Sequence, residues 1–98
     1  MGSAAPLDRP DLYVVARLLE RMCGEEEPIL KTRLQVAAHI NYDVFSRYLE
    51  WLKSRGLVAL ESTEDGHERV RLTPKGHDAY LRLVQWINEV VHGRMPGS

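Results

Sequence analysis

The chain has 98 residues, 44% apolar and 28% charged, with a formal net charge of −1. That is enough for one domain with one core, too apolar for a disordered chain, and no polycation. No apolar run reaches the roughly 18 residues of a membrane span, no basic-then-apolar stretch marks a secretory signal, and the single Cys23 forms no internal disulfide, so a reducing, cytoplasmic setting is expected.

Residues 1–7 are read as a disordered tail, with Met1-Gly2-Ser3 compatible with a cloning remnant. Asp8 is expected to cap a first helix, with Pro10 in its first turn and Asp11 near its positive end. Leu12, Val15, Ala16, Leu19 and Met22 recur at helical spacing, and Tyr13, Val14 and Leu18 widen the apolar arc. Gly24 ends this helix, and Glu25-Glu26-Glu27 makes an acidic loop. Pro28-Ile29-Leu30 is too short for a helix and reads as an edge strand. Thr32 is expected to cap a short second helix carrying Leu34, Val36 and Ala37. Asn41 caps a third, which runs to about Arg55 and stops at Gly56. On that helix Phe45, Tyr48, Leu49 and Leu52 share one face, and Asp43, Arg47, Glu50 and Ser54 the other.

GLVAL (residues 56–60) reads as a strand, Glu64-Asp65-Gly66 as a turn, and residues 67–72 as the returning strand. The stretch VRLTPKGHDAY then changes period. Val70 and Leu72 alternate with Arg69 and Arg71, which suits a half-buried strand. Thr73 is a good N-cap and Pro74 fits the first helical position, so the strand feeds directly into a last helix over about 74–92. Tyr80, Leu83, Val84, Ile87 and Val90 form its apolar stripe. Gly76, lacking a Cβ, lets it lie close against its neighbours.

Two central helices joined by about three residues make a helix-turn-helix, and the hairpin after them makes its wing. The expected class is α+β, mainly α: a winged helix-turn-helix domain over 8–92 with a C-terminal dimerisation helix and a flexible tail over 93–98. The recognition helix spans about 41–55 and the wing about 57–72.

Charge is distributed unevenly. Residues 31–58 carry five basic and two acidic side chains, net +3, while residues 1–30 are net −3 and residues 59–71 net −2. The positive segment coincides with the helix-turn-helix, which points to double-stranded DNA as partner. Arg47 is singled out for base contact, since Arg is the commonest reader of guanine in the major groove. The competing role is an ion pair with Asp43 or Glu50. Asn41, Tyr42 and Ser46 lie near the recognition-helix start, where Asn41 serves equally as a cap and Tyr42 as a buried aromatic. Lys31, Thr32 and Arg33 suit phosphate contacts, and Lys53 adds a cation near the end of the third helix. Arg69 and Arg71 share the outer face of the wing strand, where they straddle a phosphate backbone or simply keep a sheet edge soluble.

The run KTRLQVAAHINYDVFSRYLEWLKSRGLV, followed by a hairpin and LTPKG…Y, resembles small archaeal winged-helix DNA-binding proteins of the dimeric regulator and 10a-like chromatin type. The resemblance covers roughly residues 31–80. It implies a DNA-binding regulator or chromatin protein that pairs as a homodimer through antiparallel last helices. Two features depart from that pattern: the hairpin tip ESTEDGHE is acidic where DNA-touching wings are often basic, and the last helix is short for a long coiled coil.

Surplus apolar surface supports the dimer independently. Tyr80, Leu83, Val84, Trp86, Ile87 and Val90 are its expected interface, with help from the first helix, because a monomer rarely exposes a large apolar patch. The competing arrangement has the first helix covering the last within one chain. No catalytic constellation, phosphate loop or metal-ligand spacing is found among His39, His67, His77, His92 and Cys23, so neither enzyme activity, cofactor nor metal is expected. Cys23 reads as a packed side chain. The alternative function is a winged helix used only for protein–protein contact, in keeping with the acidic wing and the near-neutral net charge.

Overall fold

The computed structural model describes residues 9–91 and 93. The expectations for residues 1–7, for Asp8 as a cap, and for residues 92 and 94–98 lie outside them. In chain order the elements are α1 (Leu12–Cys23), β1 (Ile29–Leu30), α2 (Lys31–Ala38), α3 (Tyr42–Ser54), β2 (Val58–Ser62), β3 (Glu68–Leu72) and α4 (Pro74–Trp86), closed by a π-helical turn over Ile87–Val91. The three strands form one antiparallel sheet in the order β1-β3-β2.

The core gathers the apolar faces of α1 and α3 on Leu34 and Ala38 of α2 and Val70 of β3, all nearly or wholly inaccessible. Phe45, Tyr48, Leu49 and Leu52 are buried together, as their spacing on α3 requires. Val36 of α2 is not part of this face and is 66% exposed.

Three helix ends differ from the sequence reading. α1 is capped by Asp11, whose carboxylate accepts from the Tyr13 amide at 2.9 Å. The Asp11 amide itself donates to the Tyr48 hydroxyl at 2.9 Å, which ties the start of α1 to α3. Arg9, preceding a proline, is biased away from helical geometry, so Pro10 lies before the helix and not in its first turn. Thr32 does not cap α2. Ile29 and Leu30 are extended because they pair with Val70 and Arg69, and the helix starts directly at Lys31 without any side-chain cap. Finally, the last helix does not stay α-helical to its end. The Ile87 amide is shared between the carbonyls of Leu83 and Val84, and the following turn widens, which rotates Val90 and Val91 out to solvent.

The strand-to-helix junction is built on Thr73. Its hydroxyl accepts from the Gly76 amide at 2.9 Å and donates toward the carbonyls of Gly56, at 2.7 Å, and Leu57, at 3.0 Å. One residue thus caps α4 and fixes it to the start of the wing. Gly76 is buried, and a Cβ built on it would lie 2.0 Å from the Leu57 carbonyl oxygen.

Candidate nucleic-acid interface

The turn between α2 and α3 is set by backbone conformation and two local hydrogen bonds. His39 adopts the left-handed region (φ 59°, ψ 40°) and ends α2. Gln35 donates its side-chain amide to the Ile40 carbonyl at 2.9 Å. Asn41 then caps α3, accepting from the Val44 amide at 2.9 Å. With Phe45 and Leu49 drawn into the core, the opposite face of α3 is left in water. It carries Tyr42, Asp43, Arg47, Glu50 and Lys53, with Ser46 half-buried beside them.

The cations on this side fall into two groups. Arg33, Arg47 and Arg69 form no ion pair among the described residues. In particular, Arg47 is paired with neither Asp43 nor Glu50, although helical spacing would allow both. The others are already engaged. Lys53 lies 3.8 Å from Glu50, and Arg71 reaches Glu61 across the hairpin at 2.7 Å. Lys31 bonds Glu68 of β3 at 3.1 Å and stands over the Tyr42 ring, 5.7 Å from its centre. Burial of the Lys31 amine works against its charge, but hydrogen bonding to Glu68 and to Tyr42 outweighs it, so the amine is held above the usual lysine value. Thr32 is exposed in the first turn of α2, and Tyr42 is 52% exposed rather than buried.

Glu68 was not singled out as part of this surface in the sequence. It sits 37 residues from Lys31, and nothing local in either stretch announces the contact. Arg55 stands 5.3 Å from the centre of the Trp51 ring, an i,i+4 pairing the sequence reading left unused. Trp51 is half-buried against the core.

The wing tip keeps its acidic character. Asp65 accepts from the Thr63 hydroxyl and from the His67 amide, and those bonds, the Thr63 one foremost, hold its carboxyl below the usual aspartate range. Gly66 turns the chain with φ 84°.

On the far side of the molecule α1 packs along α4, as the single-chain arrangement anticipated. Tyr80, Leu83, Val84 and Ile87 are therefore half-buried, not free. Cover is incomplete, however. Tyr13 is 56% exposed, Leu81 52%, Trp86 48% and Val90 59%. An open groove of about 580 Å³ runs between the two helices, lined by Tyr13, Val14, Arg17, Glu20, Tyr80 and Val84. No described helix is long and apolar enough to cross a membrane.

A family model described as winged helix-turn-helix matches residues 9–91. Among curated proteins, none is significantly similar in sequence. Among solved structures, a MarR-family transcriptional regulator from Silicibacter pomeroyi superposes with a TM-score of 0.68 at 26% identity, over 85% of this chain and 59% of its own. The chain thus spans about three-fifths of that regulator's length. Sso10a-2, described as a DNA-binding protein from Sulfolobus solfataricus, gives a TM-score of 0.70 at 25% identity and is covered over 87% of both chains. The transcriptional regulator BldR from Sulfolobus solfataricus, at 20% identity and a TM-score of 0.66, shares the fold over 87% of this chain and 64% of its own. With the family match running through every described helix and strand, the chain belongs to the winged helix-turn-helix family.

Proposed function

We propose that this protein is a double-stranded DNA-binding regulator or chromatin-associated protein that acts in the cytoplasm by binding rather than catalysis. The observation that carries this reading is Arg47: an exposed guanidinium on α3, free of its two neighbouring carboxylates, on a helix-turn-helix whose segment is net +3. α3 enters the major groove with Arg47 on a base edge, and Tyr42 and Ser46 lie nearby. Arg33, Thr32 and the uncapped amides at the start of α2 meet one phosphate strand, and Arg69 meets another. Lys31 and Lys53 join as secondary phosphate contacts, as does Arg71, once their carboxylate partners yield. Asn41 acts mainly as the cap of α3. The similarity to the Sulfolobus DNA-binding protein and the Silicibacter regulator supports DNA binding, the Sulfolobus likeness supports an archaeal type of protein, and the exposed apolar side chains of α1 and α4 support a homodimer. In that dimer the exposed faces of α1 and α4 pair across a two-fold axis, through Trp86 and Val90 with the outer edges of Tyr80, Leu83, Val84 and Ile87.

The acidic wing tip favours a second reading, a winged helix that contacts only protein. Titration of mixed-sequence duplex across a salt series separates the two. Each phosphate neutralised contributes a slope of about −0.9 in log affinity against log salt, so binding that weakens steeply with salt is expected. Absence of binding to any duplex at low salt selects the protein-contact reading.

A further inference from the structure

The outward face of α3 is not basic. Asp43, Arg47 and Glu50 follow one another at helical spacing, all exposed, and Lys53 is turned toward Glu50 at 3.8 Å. A face built only to attract phosphates would not carry two carboxylates. We infer that Asp43 is a specificity-determining residue that reads cytosine through its exocyclic amino group; this rests on the DNA-binding reading above.

The chemistry is selective. In the major groove a carboxylate accepts a hydrogen bond from the cytosine N4 amino group. Adenine also offers an amino donor, N6, but beside an N7 acceptor that repels a carboxylate, whereas guanine presents only acceptors, and thymine an acceptor and a methyl. Against those bases a desolvated carboxylate meets repulsion with nothing to bond. Asp43 stands in the first turn of α3, the part of a recognition helix that meets base edges. Arg47 stands one turn on, with Cβ atoms ~5–6 Å apart at that spacing, which suits neighbouring base pairs. Neither side chain is consumed by the other, since no ion pair joins them among the described residues. Glu50 differs because Lys53 sits beside it. The pair Asp43 and Arg47 therefore selects a cytosine near a guanine, with Asp43 disfavouring guanine and thymine most and adenine less.

The test is selection of preferred duplexes from a random pool with the wild type, Asp43→Asn and Glu50→Gln, followed by titration of the selected sites. Wild-type sites are expected to hold a cytosine at a fixed distance from a guanine, and replacing that cytosine with thymine should weaken binding ~5- to 150-fold, the range of one good base contact. Asp43→Asn should move the preference at that position to adenine, which an amide bonds through N6 and N7. It should also tighten binding to unselected duplex. Glu50→Gln should tighten binding to all sequences alike and leave the preference in place. A helix-stabilising role for Asp43 moves thermal stability but not base preference, so an unchanged preference in a folded Asp43→Asn variant overturns the inference while leaving DNA binding intact. Failure of the wild type to bind any duplex overturns both.

Discussion

Gly76 shows how far one missing methyl reaches. Its φ is not in the left-handed region, so its value lies in space rather than in backbone freedom. A Cβ there would press on the Leu57 carbonyl oxygen at 2.0 Å and on Leu72 Cδ1 at 2.7 Å. The same carbonyl accepts from the Thr73 amide at 3.1 Å and lies near its hydroxyl. In an exposed helix interior, Gly→Ala would stabilise by about 1 kcal/mol. Here the added methyl must push α4 off the start of the wing, and overpacking of this kind costs ~1–3 kcal/mol. Gly76→Ala is therefore expected to lower stability in chemical denaturation. A gain would show that α4 slides without loss. Sequence alone carried this junction well: Thr73, Pro74 and Gly76 are each suited to one position by their own chemistry. It misplaced the start of α1 and the cap of α2 for a related reason. Several residues near those helix starts were competent caps, and the choice among them was made by distant partners, Tyr48 for Asp11 and the β1–β3 pairing for Leu30.

At the scale of elements, the wing and the helix-turn-helix share the core through Val58 and Val70, and one ion pair among the described residues links them at the surface, Lys31 with Glu68, whose side chains are 21% and 46% exposed. With Glu68 this open to water the pair stabilises the fold by only ~0–1 kcal/mol. Its pH behaviour follows from the raised lysine pKa. On the lysine side, the contribution is present at neutral pH and fades as pH rises through the raised value. Its larger effect is competition, because Glu68 occupies the amine that a phosphate would take. Glu68→Gln is expected to tighten duplex binding and to steepen the salt slope by about one unit, since one more cation becomes available. Lys31→Ala should leave the wild-type slope nearly unchanged, and added to Glu68→Gln it should remove the extra unit. An unaltered slope in Glu68→Gln would remove Lys31 from the interface. Hairpin, turn and recognition helix were legible because their periodicities and Asp-Gly and Asn signals are local. This contact was not, because charge pairs between elements depend on how the wing folds back over α2.

At the scale of the whole molecule, the question is what covers the outer side of α1 and α4. The stripe on α4 was expected to carry a dimer interface, with cover by α1 within one chain as the competing arrangement; α1 takes part of it, and Tyr80, Leu83, Val84 and Ile87 are half-buried within one chain. What remains open is Leu81 and Trp86 of α4, Val90 and Val91 of the π-helical turn, and Tyr13 of α1. Large exposed apolar side chains flanking a helix seam are a mark of interaction surfaces, and Trp is enriched in interface centres. In the proposed dimer a two-fold axis through this face sets two α3 helices in successive major grooves, ~34 Å apart. Ile87→Glu is a poor probe, because it also strains the single chain. Trp86→Glu is better: at 48% exposure the side chain can reach water in the isolated protomer, so the fold is expected to survive with little change in unfolding temperature. Sedimentation equilibrium at micromolar concentration should give twice the 11.2 kDa chain mass for the wild type and the single-chain mass for Trp86→Glu. Duplex affinity should fall with it by ~100-fold or more, because linking two half-site contacts multiplies affinity by 10²–10⁴. The salt slope should fall to about half, since half the phosphates are met. A wild type that sediments as a single chain throughout, or a monomeric variant that binds DNA as tightly as the parent, would detach DNA binding from this face.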